Sequence, residues 1–162
     1  MDRINLSGCA IILASLREIG ALGVKSKEDF CLNSSLPIIK DKKLLLLFKK
    51  KHLYYEFPGG KVKEGETLKE AAARETKEEI GCEVEGLEYF GFEDIRVEEK
   101  DFRGHVYLAE LKDSESPKIT EPDLFGDLLW LPIGDPQKYP LAPNVKKFCE
   151  KYIYTRTKAN NG

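Results

Sequence analysis

The sequence has few of the residues that build zinc sites and disulfide frameworks. It contains two histidines, His52 and His105, and its four cysteines lie far apart without any C-x-x-C pair: Cys9, Cys31, Cys82 and Cys149. This spacing disfavours both a Cys/His zinc site and a disulfide scaffold. We therefore expect reduced thiols, as in a cytoplasmic protein.

The sequence also lacks a dominant charge and any long hydrophobic run. Its formal net charge is -2, so no overall positive field is available to attract duplex nucleic acid. No apolar run approaches the ~20 residues of a membrane-spanning helix. The apolar run at 10–16 is short for a signal sequence and is followed at once by Arg17 and Glu18. We expect no membrane partner and a cytoplasmic location.

The length and composition are those of one soluble globular domain. The chain has 162 residues, of which 41% are hydrophobic and 33% are charged. We expect a helical extension over 1–29 with a helix at 7–22, one domain over 30–156, and a disordered tail over 157–162. Sequence alone leaves the choice between a monomer and a homodimer open.

The hydrophobic pattern predicts an α/β fold with a mixed β-sheet between helices. A continuously apolar run at 44–48 predicts a strand that is buried on both faces. The glycines and proline of 57–66 predict a loop. Further strands are predicted at 30–39, 86–92, 95–97, 106–111 and 128–131, and a last helix at 144–154.

The clearest helix is predicted over 67–81. Thr67 and Glu70 form a T-x-x-E capping box at its start, and Gly81 stands where a helix commonly stops. At about 100° per residue, the apolar face of this helix continues into three carboxylates. These are Glu75, Glu78 and Glu79.

This acidic face is energetically unfavourable without a compensating charge. Like charges one turn apart repel by about 0.2–0.5 kcal/mol per pair, and a helix C-terminus disfavours each anion by about 0.3–1 kcal/mol. A divalent cation such as Mg²⁺ or Mn²⁺, which prefers oxygen ligands, would offset this cost. A solvated acidic face is the alternative, and the i,i+4 pair of Glu70 and Arg74 also fits it.

The loop before the helix favours a ligand site. Gly59 and Gly60 allow the backbone to approach a ligand closely, and the positive charge of Lys61 could neutralise a phosphate. The same residues also suit an ordinary turn. The loop and the helical wheel therefore leave both interpretations open.

The segment from Gly60 to Cys82, GKVKEGETLKEAAARETKEEIGC, resembles the Nudix box. That pattern reads G-x5-E-x7-R-E-U-x-E-E-x-G-U, where U is aliphatic, and every Gly, Glu and Arg stands at its place. Thr76 and Cys82 occupy positions where larger aliphatic residues are common. The preceding F-P-G is also typical of the family. The later segment EPDLFGDLLWLP is similar to a segment of some members that cleave nucleoside triphosphates.

The resemblance implies an α/β/α sandwich that hydrolyses a phosphoanhydride bond with the help of Mg²⁺, or of Mn²⁺ as a substitute. The implied metal ligands are the carbonyl of Gly59 and the carboxylates of Glu75, Glu78 and Glu79. Arg74 would orient a glutamate through charge-assisted hydrogen bonds. Glu78, Glu79 and Arg74 are thus the expected catalytic residues of the box.

The general base is less determined by the pattern. A box glutamate or a glutamate of a later loop can take this role in the family, and Glu98, Glu99 and Glu121 are the later candidates. We prefer Glu121, because Glu98 and Glu99 lie in a charged stretch typical of a hairpin loop. Glu66 either pairs with Arg74 or complements the helix dipole.

The expected reaction is that of the MutT-like branch, in which a (d)NTP yields (d)NMP and pyrophosphate, with an oxidised nucleotide as one possible substrate. ADP-ribose, another nucleotide sugar, and a non-catalytic nucleotide-binding module are the alternatives. Asn144 could read a base edge or cap the last helix. Stacking on a base could come from Tyr55, Phe57, Phe125 or Trp130. The expected substrate contacts are Tyr55, Gly60, Lys61 and Asn144.

Overall fold

The computed structural model describes residues 31–97, 99–112 and 116–160. The extension predicted over 1–29, with its helix at 7–22, lies outside the described residues, as do residues 161–162. The helices are α1 (Leu68–Ile80) and α2 (Pro143–Asn160). The strands are β1 (Cys31–Ser35), β2 (Ile39–Lys40), β3 (Lys43–Lys49), β4 (Tyr54–Glu56), β5 (Gly59–Lys61), β6 (Val84–Val97), β7 (Lys100–Leu111) and β8 (Phe125–Pro132).

The described strands form two sheets, where the sequence had predicted one. The first sheet has the order β5-β1-β7-β6, with β1 parallel to β7 and antiparallel to β5. The second has the order β2-β3-β4, with β8 paired to β3 on its other side. The strand predicted at 30–39 is divided between the two sheets. Pro37 lies at the break, where it has no N–H to donate to a sheet ladder.

One long hairpin replaces the two strands predicted at 86–92 and 95–97. Strand β6 pairs along its length with β7, and its register shifts beside Gly86 and Gly91, which have φ values of 65° and 153°. Glycines at these positions form bulges that bend the strand without ending it. Glu99 is exposed at the turn of this hairpin, as the charged stretch predicted.

Strand β3 supplies the centre of the core, and the predicted burial of both of its faces is confirmed. Leu44 and Leu46 pack into one hydrophobic cluster, and Leu45 and Leu47 pack into the other. All four are fully buried, which stabilises the fold by about 1.5–3 kcal/mol for each side chain. Helix α1 covers the second cluster and α2 covers the first, so the sheets lie between two helices as expected.

Helix α1 has the predicted ends. The Thr67 side chain accepts the N–H of Glu70, whose carboxylate accepts the N–H of Thr67 in return. Gly81 adopts a left-handed conformation with φ of 71° and donates its N–H to the Lys77 carbonyl. Such reciprocal capping satisfies helix-end groups that would otherwise lack partners.

Helix α2 begins one residue before the predicted start and ends at Asn160, later than predicted. The N–H of Lys146 donates to the Ala142 carbonyl, so Ala142 occupies the N-cap and Pro143 the first helical position. The prediction that Asn144 caps this helix is therefore wrong. Residues 157–160, expected in a disordered tail, lie in the helix. No helix in the described part of the chain is long and apolar enough to cross a membrane.

Candidate active site

Arg74 forms ion pairs with three carboxylates of the site. Its Nε lies 2.6 Å from Glu66 Oε1, and its Nη1 lies 2.8 Å from Glu75 Oε1 and 3.1 Å from Glu78 Oε2. Its Nη2 also donates to the Lys61 carbonyl at 3.1 Å. The hydrogen bond from Arg74 is the main reason that the pKa of Glu66 falls to about 2. The predicted pairing of Glu66 with Arg74 is thus confirmed.

Glu79 occupies a different environment on the same helix. Its side chain is buried, and its Oε2 accepts the N–H of Gly59 at 2.9 Å. Burial raises the pKa of Glu79 to about 8, although the hydrogen bond from Gly59 opposes this rise. The carboxylates on one face of α1 therefore have two kinds of partner: Arg74 binds Glu75 and Glu78, and the backbone amide of Gly59 in β5 binds Glu79.

Glu56 is a site residue that the sequence reasoning missed. Burial raises the pKa of this carboxyl group, and Lys49 Nζ lies 3.7 Å from its Oε1 and opposes the rise. The charge of Glu56 in turn raises the pKa of Glu79. A signal was present in the sequence, because Glu56 immediately precedes the F-P-G of the glycine loop.

The double glycine is required by two separate close approaches. At Gly60, an added Cβ would lie 2.6 Å from Glu75 Cδ and 2.7 Å from its Oε2. At Gly59, φ is 134° and an added Cβ would overlap the Ser34 carbonyl oxygen. These glycines lie in β5, although the sequence predicted a loop over 57–66, and the backbone of β5 lies directly against Glu75 and against strand β1.

The donor chemistry at this site fits a divalent metal ion. The candidate ligands are carboxylate and carbonyl oxygens, which hard cations prefer, and a cation beside Glu79 would offset the burial of its charge. Among the residues that the structure describes, no three His, Cys, Asp or Glu side chains already converge on one point. Arg74 holds one oxygen each of Glu75 and Glu78. Binding by all three glutamates therefore requires side-chain movement.

A cavity of about 270 Å³ opens beside the double glycine. Asn144, in the first turn of α2, lines it together with Tyr54, Glu56 and the glycines of the loop. Tyr54 stacks on His52, with ring centroids 5.3 Å apart and an interplanar angle of 15°. Flat aromatic walls and a few polar groups are typical of a pocket for a small ligand.

The structure does not bring every expected substrate contact to the cavity. Tyr55 points to the other side of β4, where its ring packs edge-on against Phe48 and Tyr139 and its hydroxyl donates to Asp127 Oδ2 at 2.6 Å. Alternate residues of a strand face opposite sides, so Tyr54 lines the cavity instead. Of the four predicted stacking residues, Phe57 alone lines it. Lys61 is exposed at the end of β5 and does not line the cavity.

The segment before Glu121 is tied to the end of α1. The N–H of Thr120 donates to the Glu79 carbonyl at 3.0 Å, and its hydroxyl donates to the Glu78 carbonyl. Glu121 follows directly and is half-buried. Its position next to the end of the acidic helix is compatible with the role of general base, which stays a prediction.

Comparisons with known proteins agree with this arrangement. Residues 32–152 match the family described as NUDIX domain. The "Putative 8-oxo-dGTP diphosphatase YtkD" of Bacillus subtilis (strain 168) is 44% identical over 61 residues, which are 38% of this chain and 39% of that protein. The "Uncharacterized Nudix hydrolase YvcI" of the same strain is 28% identical over 108 residues, or 64% of this chain and 66% of that protein. The matched regions thus span about two fifths and just under two thirds of these curated relatives.

A solved structure gives the same result at the level of the fold. The MutT NUDIX hydrolase from Burkholderia pseudomallei superposes with a TM-score of 0.69 and 27% identity, covering 74% of this chain and 95% of that one. Together with the family match over most of the chain, this likeness extends well beyond the box. The chain therefore belongs to the Nudix hydrolase family, whose members act on phosphoanhydride bonds, and it is similar to the MutT-like branch.

Proposed function

We propose that this protein is a Mg²⁺-dependent hydrolase that converts a nucleoside triphosphate to the monophosphate and pyrophosphate. The observation that carries the proposal is the buried carboxylate of Glu79, which accepts the N–H of Gly59, a residue that lines the cavity. An acidic group is expensive to bury without a compensating charge. A functional cation site explains its placement better than a solvated acidic face does.

The glutamates of α1 would bind the cation, and Arg74 would orient two of them. A divalent cation bound by Glu75, Glu78, Glu79 and the Gly59 carbonyl would neutralise phosphate charge and activate water. Arg74 keeps Glu75 and Glu78 oriented through the hydrogen bonds described above.

Two further residues act on the substrate and on the attacking water. Lys61 would supply positive charge to the outer phosphates, and the carboxylate of Glu121 would take the proton from the attacking water. Gly60, which has no side chain, leaves room for the Glu75 carboxylate to lie against the backbone, where a phosphate would approach the same backbone.

The nucleoside portion of the substrate fits the cavity beside the glycine loop. Tyr54 and His52 offer aromatic rings to a base, and the amide of Asn144, which lines the same cavity, offers hydrogen bonds. The printed name of YtkD refers to 8-oxo-dGTP, which supports an oxidised purine nucleotide as one substrate. ADP-ribose or another nucleotide sugar, and nucleotide binding without cleavage, are the competing functions.

A cytoplasmic setting suits this function. Among the described residues, Cys31 and Cys149 are free thiols, which a reducing compartment favours. The nucleotide substrate is the small-molecule partner that we propose, with the protein acting as a monomer or homodimer.

A substrate panel tests the proposal. The protein with Mg²⁺ is incubated with dGTP, 8-oxo-dGTP, dATP, ADP-ribose and a nucleotide sugar, and the products are identified by ion-exchange chromatography. We expect pyrophosphate and a monophosphate from a triphosphate. Cleavage of ADP-ribose alone would replace the proposed substrate class, and binding without products would indicate a non-catalytic module.

Two variants test the metal site itself. Glu78→Gln should reduce turnover by at least ~100-fold, while the matched variant Glu85→Gln, at an exposed position outside the site, should leave it unchanged. Mg²⁺ should raise the melting temperature of the wild-type protein, because a ligand that binds only the folded state stabilises it. No effect of Mg²⁺ on melting, together with full activity of Glu78→Gln, would support the solvated acidic face.

A further inference from the structure

Asn33 presents an unsatisfied acceptor at the cavity. Its side chain lines the cavity, and its Oδ1 is buried with no hydrogen-bond partner among the described residues. A buried polar atom without a partner destabilises a fold, and most such atoms in native proteins are paired. An orphaned acceptor at a ligand cavity therefore indicates a donor that arrives with the ligand.

The position of Asn33 in the sheet defines its neighbours. Strand β1 is an interior strand, and Asn33 lies opposite Lys61 on β5 and opposite Gly104 on β7. Gly104 has no side chain that could reach across the ladder. Ser35 lies on the same face of β1 and also lines the cavity, whereas Ser34 points to the other face and is fully buried.

The sequence of β1 is unusual for an interior strand. It reads C-L-N-S-S, although asparagine is disfavoured in strands and gains little from burial there. A residue type that is unfavourable for its secondary structure is expected where that residue serves a function. This argues against a purely structural role for Asn33, because a leucine or valine would pack at that position with less cost.

The remaining walls of the cavity suit a planar ring. Ile95 and Phe102 lie opposite each other on β6 and β7, and both line the cavity together with the stacked rings of His52 and Tyr54. Such walls favour the faces of a nucleobase over a sugar, whose hydroxyls need several polar partners. Asn33 lines the same cavity, and its Oδ1 has no hydrogen-bond partner among the described residues.

We propose that Asn33 is a specificity-determining residue whose Oδ1 accepts a hydrogen bond from an N–H of the substrate's nucleobase. This inference rests on the proposed function in placing the base in the cavity. Sites built around such a hydrogen bond strongly reject analogues that lack the matching group, because the buried polar atom is then left unpaired. The protein should therefore discriminate against a base that carries no N–H at all.

Equilibrium binding tests the inference without requiring turnover. The ligands are GMP, AMP and purine riboside 5′-monophosphate, whose ring has no N–H donor, with ribose 5-phosphate as a control that lacks a base. Binding is measured by isothermal titration calorimetry for the wild-type protein and for Asn33→Leu, with Asn33→Ala as a second variant. Cys31→Leu is the matched control, since Cys31 is exposed on the same strand and does not line the cavity.

The wild-type protein should bind GMP or AMP about tenfold or more tightly than the purine riboside nucleotide. Asn33→Leu should bind these ligands equally, with an unchanged affinity for the donor-free nucleotide and for ribose 5-phosphate. Its melting temperature should be equal to or above that of the wild type, because an orphaned acceptor has been removed. Cys31→Leu should retain the wild-type discrimination.

The outcomes separate the inference from the proposed function. Discrimination that survives in both Asn33 variants, or that is absent from the wild type, overturns the role of Asn33. An equal loss of affinity for all nucleotides, accompanied by a lower melting temperature, indicates a structural role and also overturns it. Donor-dependent binding without hydrolysis of any triphosphate would leave the inference standing and remove the proposed function instead.

Discussion

Replacing Gly60 by alanine should impair catalysis while leaving the fold intact. The added Cβ would lie 2.6 Å from Glu75 Cδ and 3.0 Å from its Cγ, with no backbone atom among these nearest neighbours. Gly60 is not among the glycines with a positive φ, so alanine can adopt its backbone conformation. The substitution therefore acts on the carboxylate of Glu75 and on little else.

The magnitude follows from the geometry. Carbon atoms in contact prefer separations of about 3.5–4.0 Å, so the Glu75 carboxylate must move by about 1 Å. A misplacement of about 1 Å in a catalytic group can cost about 100-fold in rate, which corresponds to about 2.7 kcal/mol. The free energy of unfolding should change by less than ~1 kcal/mol, because alanine also reduces the entropy of the unfolded chain.

Two other glycines provide the controls. Gly59→Ala should destabilise the protein severely, because φ is 134° and the new Cβ would overlap the Ser34 carbonyl oxygen. Gly126→Ala should change neither activity nor stability appreciably, since its Cβ would meet Lys50 and Phe48 side chains no closer than 3.4 Å. All three variants replace glycine by alanine, and they differ in the atoms that the added methyl group would contact.

The assay compares initial rates of triphosphate hydrolysis in Mg²⁺ with melting temperatures for all three variants. We expect Gly60→Ala to lose rate without losing stability, and Gly59→Ala to lose stability. A Gly60→Ala protein with turnover within threefold of the wild type would refute the placement of Glu75 in the reaction. A large drop in its melting temperature would refute the claim that only the carboxylate is displaced.

Three further variants extend the test to other parts of the site. Arg74→Lys should lower turnover about tenfold or more in the same assay, because an ammonium cannot bridge several carboxylates as a guanidinium does. The lowered pKa of Glu66, about 2 against an ordinary 4.5, means that its ionised form stabilises the fold above pH 4.5 and that this contribution is lost as pH falls towards 2. Acid unfolding of Glu66→Gln, followed by circular dichroism, should therefore depend less on pH in that window. Thr76→Val should raise the melting temperature by about 2–4 °C, as seen by calorimetry, because the buried Thr76 hydroxyl has no hydrogen-bond partner among the described residues.

Helix α1 could be predicted from the sequence because its determinants are local. The capping box of Thr67 and Glu70, the apolar periodicity and the stop at Gly81 all act within one segment. The clustering of the three glutamates on one face followed from the same periodicity. The pairing of Arg74 with two of them depends only on neighbours along the helix and its preceding loop.

Features that depend on distant partners were harder to predict. The sequence prediction started a strand at Gly86 and ended it after Phe92, and only pairing with β7 joins 84–97 into one strand with bulges beside Gly86 and Gly91. In the three-residue strand β4, alternation alone could not decide whether Tyr54 or Tyr55 faces the cavity, since a shift of one residue exchanges the faces. The start of α2 was a different kind of error, because Pro143 before Asn144 is a known signal of the first helical position.

The three carboxylates of α1 do not all depend on a metal ion for their stability. Arg74 compensates Glu75 and Glu78 by direct ion pairs, so these charges are tolerated in the folded protein without a cation. Glu79 is different, because burial raises the pKa of its carboxyl group and its hydrogen-bond donor within the described part of the chain is the backbone amide of Gly59. A bound cation would therefore stabilise the ionised form of Glu79 most strongly, whereas it must compete with Arg74 for Glu75 and Glu78. We therefore expect the protein to fold without metal, and we propose that the acidic cluster serves metal binding and is not a structural requirement of the helix.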